Sequence, residues 1–372
     1  MITRRDSQQP TQAVPPPIVF TSCELQDAAH EHARLAAAAG GAAAGATQAT
    51  AGRREVKVNG KRVRTIDIHC HCVIPETLKL SGQSREQRGP GIEEVGERRI
   101  REMDEMGIDV GVLSINPYWY KTDRDTAAEI IRINNERLAE FSAKYPDRIT
   151  AFASVSLQFP ELAAEQLEHA VKKLGLQGPA VGASCAGKDF SDPMFHPFWR
   201  KCEDLGVLTF IHPQSTPELH KRLAGNGWLA NTIGNPLDTT ICLSKLIFEG
   251  TLDRFPNLKL CSAHGGGYLP SYAPRSDHAC RVGPDQCNPE IKLKKKPTEY
   301  LRTMYFDTLV FTSEALRHLA AEVGVSQLMI GTDHPIPWNP NPVDHVMNAE
   351  GFTDEERIAM LGGNAAKLLK LR

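Results

Sequence analysis

The chain has 372 residues and a formal net charge of −2, with 41% apolar and 24% charged residues, a composition typical of a soluble globular protein. This near-neutral balance gives no electrostatic argument for binding nucleic acid. No run approaches the roughly 18 consecutive apolar residues that a membrane helix needs. The short basic run Lys292–Lys296 is predicted to be a solvated loop. We therefore expect neither nucleic acid nor a membrane as a partner.

The number and spacing of the cysteines indicate the cellular compartment of the protein. The chain has nine of them, an odd number, and no two are spaced as a CxxC pair. In a chain of this length such cysteines are expected to be free thiols in a reducing compartment. Arg4-Arg5 is not followed by the apolar segment of a secretory signal. Together these features predict a cytoplasmic protein.

The N-terminal segment 1–54 differs in composition from the rest of the chain. Gln, Pro and Thr dominate its start, and an Ala/Gly-rich tract runs from Ala36 to Gly52. The segment could hold one helix over about Glu24 to Ala39, but it lacks the apolar variety of a core. We predict that residues 1–54 form a low-complexity extension and that residues 55–372 form one domain.

Strands and helices are predicted to alternate along this domain. The first element is a hairpin, since two alternating segments, Val56–Val58 and Arg62–Arg64, flank the turn dipeptide Asn59-Gly60. Predicted strands follow at 66–68, 110–115, 150–156, 178–183, 207–212, 259–263, 304–307 and 327–331. Predicted helices lie at 93–106, 127–144, 161–174, 196–205, 239–249, 313–323 and 354–369.

Roughly eight strand–helix units in series predict a parallel sheet closed into a (β/α)8 TIM-type barrel. An open doubly wound sheet is the main alternative. Neither GxGxxG nor GxxxxGK[ST] is present, so the nucleotide-binding versions of that alternative lose support.

Metal-ligand residue types lie where predicted strands end. These residues are His69, His71, His212, His264 and Asp333. In a (β/α)8 barrel the carboxyl ends of the strands meet at one face, where active sites form. His69 and His71 are two positions apart on an extended strand, so both point to the same side. Imidazoles and a carboxylate suit a divalent ion of the zinc kind, and the pattern predicts a metal site.

One histidine at a strand end is more often structural than catalytic, but five suitable residues at four strand ends are poorly explained by coincidence.

Gly265-Gly266-Gly267 follows His264 and has two open interpretations. The glycines could form a tight turn into the next helix, or they could let the backbone approach a substrate closely.

Several motifs, taken in order, resemble the amidohydrolase superfamily, and within it the decarboxylase branch typified by 2-amino-3-carboxymuconate-6-semialdehyde decarboxylase. The similarity extends from about Thr65 to the C-terminus. The motifs are Ile66–His71, Arg99–Asp104, Phe210–Pro213, Arg254–Leu260, Ala263–Gly267 and Gly331–Asp333.

This resemblance implies roles for the strand-end residues. The implied ligands of one divalent ion, usually zinc and in some relatives manganese, are His69, His71, His212 and Asp333. His264 is implied to be the catalytic base or acid beside the water on that ion. Arg275 matches an arginine that relatives insert into the neighbouring subunit's site to hold a substrate carboxylate, which implies a homodimer.

The chain departs from this pattern around the substrate position. The segment from about Ile74 to Glu93 is shorter than the insert in which relatives carry an acid-binding arginine; Arg85 or Arg88 could replace it. His334–Pro337 stands where relatives have aromatic residues after the metal aspartate. The substrate is therefore left open by the sequence.

The resemblance implies non-oxidative decarboxylation of an aromatic or unsaturated carboxylic acid, with no flavin or nicotinamide. A hydrolase of an ester, lactone, amide or C–C bond, or a hydratase, would use the same site and is the main alternative. A non-catalytic metal-binding or scaffold protein is a third possibility. It predicts that a ligand or His264 would be missing, and all five residues are present.

Overall fold

The hairpin predicted around Asn59-Gly60 is the first element of the computed structural model, which describes residues 52–83, 95–214 and 217–371. Strands β1 (Lys57–Val58) and β2 (Lys61–Arg62) pair antiparallel. Asn59 and Gly60 both have positive φ, 49° and 75°, as a two-residue hairpin turn of this kind requires. The predicted extension lies almost wholly outside the described residues.

Eight parallel strands form the barrel, so the predicted (β/α)8 fold is confirmed. They are β3 (Ile66–His71), β4 (Val110–Ser114), β5 (Ile149–Ala151), β6 (Ala180–Val181), β9 (Leu208–Ile211), β10 (Lys259–Ser262), β11 (Tyr305–Asp307) and β12 (Leu328–Met329). The remaining two strands, β7 (Ser184–Cys185) and β8 (Lys188–Asp189), form a small hairpin outside the barrel. Two hydrogen-bonded groups, β3-β4-β5 and β6-β9-β10-β11-β12, are joined by the bridges Ala153–Pro179 and Cys70–His334. These bridges close the barrel, which excludes the open doubly wound sheet.

The predicted helices follow the strands with shifted ends, and further short helices that were not predicted lie between them. Their bounds are Pro75–Leu80, Glu97–Met106, Arg124–Lys144, Pro160–Lys173, His196–Leu205, Asn235–Phe248, Thr251–Arg254, Leu269–Ser276, Ala279–Val282, Pro297–Leu301, Ser313–Val323, Pro342–Asn348, Asp354–Ile358 and Asn364–Leu369. The last two were predicted as one helix, but a π-helical turn, Ala359–Gly363, separates them. Gly362 lies there against the chain entering β3: a Cβ on it would be 2.1 Å from the Arg64 carbonyl oxygen.

Apolar packing reaches the carboxyl end of the barrel. Phe152 and Phe210 stack with their ring centroids 5.5 Å apart. The Phe210 ring in turn contacts the ring of His69, with centroids 5.1 Å apart. His69 therefore lies directly on the core, in a region of low polarity where charges interact strongly.

The prediction that all cysteines are free thiols is wrong for one pair. Cys280 and Cys287 form a disulfide across a Cα–Cα distance of 5.7 Å. A short helix, Ala279–Val282, and a 3-10 turn, Pro284–Gln286, fold this segment back on itself and bring the two residues within bridging distance. The other described cysteines are buried, and Cys70, Cys185, Cys202, Cys242 and Cys261 are free thiols. None of the described helices is both long enough and apolar enough to cross a membrane.

Candidate metal centre

The strand-end histidines converge on the carboxylate of Asp333. The Nε2 atoms of His71 and His69 lie 2.9 and 3.1 Å from Asp333 Oδ1, and that of His212 lies 3.8 Å away. His264 Nε2 is 3.6 Å from the other oxygen, Oδ2. The structure thus brings together all five residues that the sequence singled out, from strand ends far apart in the chain.

One ring nitrogen from each of three histidines and a carboxylate oxygen of Asp333 lie close together. The ligand-type atoms of His69, His212, His264 and Asp333 all lie within 4.8 Å of one another. His71 Nε2 is 3.0 Å from His69 Nε2. Because the Nδ1 atom of each ring faces a hydrogen-bond acceptor, both Nε2 atoms can be unprotonated, and two unprotonated nitrogens this close together suit two ligands of one ion.

His212 provides a direct test of whether the residues fit a metal ion. Both of its ring nitrogens are buried and neither has a hydrogen-bond partner among the described residues. An unsatisfied buried polar atom costs free energy, so such an atom calls for a partner. Burial also lowers the pKa of His212 well below its usual value, which keeps the ring neutral and its nitrogen free to bind a cation.

The charge balance also fits a divalent ion. Burial lowers the pKa of His69, but the carboxylates of Asp333 and Asp307 outweigh that effect and raise it to about 10. Burial lowers the pKa of His71 to about 4. Burial opposes ionisation of Asp333, but His69 and the other rings hold the pKa of its carboxyl well below the ordinary range. The two carboxylates thus make this site attractive to positive charge, whether a proton on His69 or a divalent ion, and the neutral rings of His71 and His212 can bind the ion.

Two residues that the sequence analysis missed orient the histidine rings. The Nδ1 of His69 donates to Asp307 Oδ2 at 2.6 Å, which turns its Nε2 towards Asp333. Ser114 Oγ donates to the Cys70 carbonyl and lies 2.9 Å from His71 Nδ1, which can then donate to it. Such partners fix the ring tautomer and orientation of metal-binding histidines. Asp307 and Ser114 also lie at strand ends, and this position is the signal that could have found them.

Asp307 also fixes the chain after His264. Its carboxylate accepts hydrogen bonds from the backbone N–H groups of His264 at 2.9 Å and Gly265 at 2.8 Å. One fully buried carboxylate thereby holds both the His69 ring and the turn that carries His264. Residue 307 is a second buried anion of this site.

Backbone hydrogen bonds hold β3 against the strand that carries Asp333. The N–H of Asp333 donates to the His69 carbonyl at 2.8 Å, and the N–H of His71 donates to the His334 carbonyl at 2.7 Å. Arg99 donates from the helix Glu97–Met106 to the His71 carbonyl at 2.5 Å, and Glu102 of the same helix lies 3.1 Å from His334 Nε2. This helix therefore braces the ends of two strands that carry site residues.

His264 and Asp333 both adopt left-handed backbone conformations, with φ of 56° and 59°. Such conformations cost about 1–3 kcal/mol in residues other than glycine and cluster at functional sites. The following glycines are accounted for by packing: a Cβ on Gly265 would lie 2.5 Å from Val310 Cγ1, and one on Gly267 would lie 2.1 Å from the Pro236 carbonyl oxygen. Of the two interpretations, the tight turn against the protein itself is the one these contacts support.

Arg275 is not joined to the five residues. It lies on the helix Leu269–Ser276 and its side chain is exposed. Within the described part of the chain, no hydrogen bond or ion pair links it to the metal centre. The structure contains a single chain and so places Arg275 only on the surface.

The amidohydrolase family model matches residues 66–371, and the chain belongs to this family. The predicted resemblance is confirmed. The match begins at the first residue of β3 and includes every residue of the metal centre.

Similar proteins are decarboxylases. The chain is 32% identical over 278 residues to 2-amino-3-carboxymuconate-6-semialdehyde decarboxylase of Dictyostelium discoideum, covering 73% of this chain and 76% of that protein. It is 30% identical over 321 residues to gamma-resorcylate decarboxylase of Rhizobium sp., covering 81% and 96%. The crystal structure of dihydroxybenzoic acid decarboxylase from Polaromonas sp. JS666, with bound manganese and the inhibitor 2-nitroresorcinol, superimposes with a TM-score of 0.73 at 28% identity, covering 83% and 97%. The prediction of a carboxy-lyase of the amidohydrolase family is thereby confirmed.

Proposed function

We propose that this chain removes CO2 from an aromatic carboxylic acid at a single divalent ion held by His69, His71, His212 and Asp333. The observation that carries the proposal is the convergence of these side chains from three separate strand ends, with both ring nitrogens of buried His212 lacking any other partner among the described residues. When bound, the ion supplies positive charge that polarises the substrate and lowers the pKa of a water.

His264 is proposed to move the proton. It is the most accessible of the five, with 15% of its side chain exposed compared with 0–8% for the others. A group that exchanges protons with substrate and solvent has to be reachable, whereas a ligand does not. Its Nε2 also points into the cluster, at the Asp333 carboxylate.

The proposed reaction balances without an oxidant. His264 Nε2 delivers a proton to the ring carbon that bears the carboxylate, and a C–H bond forms there. The bond from that carbon to the carboxylate then breaks, its electron pair restores the conjugated ring, and CO2 leaves. A proton from water returns His264 to its starting state.

The ion is proposed to be zinc or manganese. Three imidazoles and one carboxylate suit zinc, as the sequence predicted. The similar Polaromonas decarboxylase was crystallised with manganese. Metal analysis of the purified protein decides between them. We further propose a cytoplasmic location, which the buried free thiols of Cys70, Cys185, Cys202, Cys242 and Cys261 support and the Cys280–Cys287 disulfide does not.

The reaction class is tested by offering the metal-loaded enzyme a panel of aromatic acids labelled with 13C in the carboxyl group. We expect labelled CO2 from at least one hydroxylated benzoic acid, with gamma-resorcylate as the first compound because a similar protein is named for it. Esters, lactones and amides of the same rings form the second arm. Hydrolysed product from that arm, with no labelled CO2 from the first, would favour the hydrolase alternative and contradict the proposal.

A second proposal concerns Arg275, which we infer enters the site of a partner subunit in a homodimer to hold the substrate carboxylate. Two observations support it. The guanidinium is exposed, and two large apolar side chains near it in the chain are exposed as well, Tyr272 on the same helix by 66% and Val282 on the next helix by 73%. A guanidinium binds a carboxylate with two parallel hydrogen bonds.

Mixed dimers test this arrangement. Each parent homodimer, Arg275→Ala or His264→Ala, is expected to be inactive. In a mixed dimer, the subunit with Ala at 275 keeps its own His264 and receives Arg275 from its partner, so about half of the wild-type activity per dimer should return, as expected for one intact site of two. An inactive mixed dimer, or a monomeric protein, would show that Arg275 does not act across an interface.

A further inference from the structure

Residues 332–336 form the turn that carries Asp333, and its backbone is strained. Asp333 has a left-handed conformation, with φ of 59°, and its carbonyl accepts a hydrogen bond from the N–H of Ile336 at 2.9 Å. This conformation is unfavourable in residues other than glycine and persists only where the surrounding structure imposes it. The contacts of the two chain neighbours, Thr332 and His334, therefore determine where the Asp333 carboxylate points.

The residue before Asp333 is fixed to β3. The N–H of Thr332 donates to Asp67 Oδ1 at 3.1 Å, and its hydroxyl donates to Asp67 Oδ2 at 2.6 Å. The buried Asp67 carboxylate also accepts from the N–H of His69 at 3.0 Å. The Thr332 hydroxyl in turn accepts from the N–H of His334 at 3.0 Å. One side of the turn is thereby joined to the strand that carries His69.

The residue after Asp333 is fixed to a neighbouring helix. His334 Nε2 lies 3.1 Å from Oε2 of Glu102, which belongs to the helix Glu97–Met106. The two side chains are 15% and 29% exposed, so water competes little for this contact. The other ring nitrogen of His334, Nδ1, is buried and has no hydrogen-bond partner among the described residues. Glu102 is therefore the group that orients the His334 ring.

The Glu102 carboxylate is suited to hold a ring N–H. Burial opposes its ionisation, but hydrogen bonds from His334 and Arg98 outweigh that effect and lower the pKa of Glu102 to about 2. Arg98 Nε donates to the second carboxylate oxygen, Oε1, at 2.8 Å. An ionised carboxylate only accepts hydrogen bonds, so the proton of the contact with His334 is on Nε2. A hydrogen bond to an ionised group is stronger than one between neutral groups.

We propose that Glu102 is a positioning residue of the metal centre, which acts through the His334 ring to keep the Asp333 carboxylate directed at the histidines. This inference rests on the proposed function, because it concerns the ion that Asp333 binds there. The His334 carbonyl also accepts from the N–H of His71 at 2.7 Å. A displacement of His334 would thus disturb the backbone next to two ligands, although neither His334 nor Glu102 is a ligand itself.

The first test is the affinity of full-length, metal-free protein for Mn2+, measured by calorimetric titration. Glu102→Ala removes the acceptor, and we expect it to weaken Mn2+ binding about tenfold, the lower end of what loss of a ligand's support costs. Glu102→Gln removes the charge but keeps an oxygen that can accept from His334 Nε2, so most of the affinity should remain. Glu105→Ala is the matched control, because Glu105 is an exposed residue of the same helix.

A double-mutant cycle shows whether Glu102 acts through His334. His334→Phe keeps an aromatic ring and removes both ring nitrogens, so it should weaken Mn2+ binding by a factor similar to that of Glu102→Ala. In the His334→Phe background, Glu102→Ala should have little further effect, because the contact is already lost. A general effect of Glu102 on its own helix would instead add in full to that of His334→Phe.

A non-additive cycle together with near-normal binding by Glu102→Gln supports the positioning role. Wild-type affinity in Glu102→Ala overturns it, as does an additive cycle. A glutamine variant as weak as the alanine variant also overturns it, because the charge of Glu102 would then matter rather than its hydrogen bond. Even if Glu102→Ala fails to fold, wild-type affinity in His334→Phe overturns the inference.

Release of CO2 by the same wild-type preparation separates this inference from the proposed function. A wild type that binds Mn2+ but decarboxylates no acid would contradict the proposed reaction and leave the positioning role supported by the cycle. A wild type that releases CO2, with Mn2+ affinity insensitive to Glu102 and His334, would overturn the positioning role alone. A wild type that binds no divalent ion would overturn both.

Discussion

Replacing Asp333 with alanine is expected to abolish both metal binding and turnover. The Asp333 carboxylate lies within 3.8 Å of the Nε2 atom of each of four histidines. Removing it takes away the one proposed ligand that carries a negative charge and leaves only imidazole rings to bind a divalent ion. Loss of residues that merely support ligands costs about 10- to 100-fold in metal affinity, so loss of this ligand should exceed 100-fold.

The measurement is metal content after dialysis at a fixed free-metal concentration, together with CO2 release. Asp147→Ala is the matched control, because Asp147 is an exposed loop aspartate and surface changes of this kind have little effect. Circular dichroism verifies that both variants fold. An Asp333→Ala protein that retains one ion per chain would contradict the assignment of Asp333 as a ligand.

Replacing His264 with asparagine is expected to separate metal binding from catalysis. Four ligands remain in this variant, so metal content should match wild type. Turnover should fall by about 10²- to 10⁴-fold, the contribution of a positioned proton-transfer group. The asparagine is similar in size and polar, so the turn fixed by Asp307 through the backbone of His264 and Gly265 is retained.

His169→Asn is the control for this experiment, because His169 is an exposed residue of the helix Pro160–Lys173. Metal content and kcat measured on the same preparations distinguish the two roles that the geometry allows. Loss of the ion in His264→Asn would make His264 a ligand, as its position among the clustered ligand atoms permits. Normal turnover would remove His264 from the reaction altogether.

The sequence was sufficient to predict the barrel and the five residues at its mouth, because both depend on local patterns. Alternation of strands and helices specifies the topology, and parallel strands carry their final residues to one face. The same rule applied to the end of β11 and β4 would have found Asp307 and Ser114. They were missed because a single Asp or Ser at a strand end does not by itself indicate a metal site. The role of each depends on its contact with a histidine from another strand.

Other features depend on contacts that sequence spacing does not encode. The rings of Trp228 and Trp338 stack with their centroids 5.4 Å apart, although more than a hundred residues separate them in the chain. The Cys280–Cys287 disulfide depends on how a short helix and a 3-10 turn fold back on each other. At the break in the final helix, Gly362 packs on the carbonyl of Arg64, a contact between opposite ends of the domain.

The central claim is that one divalent ion at the clustered histidines and Asp333 supports decarboxylation. The most direct measurement is release of labelled CO2 from a carboxyl-13C aromatic acid while metal-free enzyme is titrated with Mn2+ or Zn2+. The account predicts negligible release without metal, a rise in proportion to bound metal, and a plateau at one ion per chain. Undiminished CO2 release from the metal-free enzyme would contradict it, as would a fully loaded enzyme that releases none from any acid in the panel.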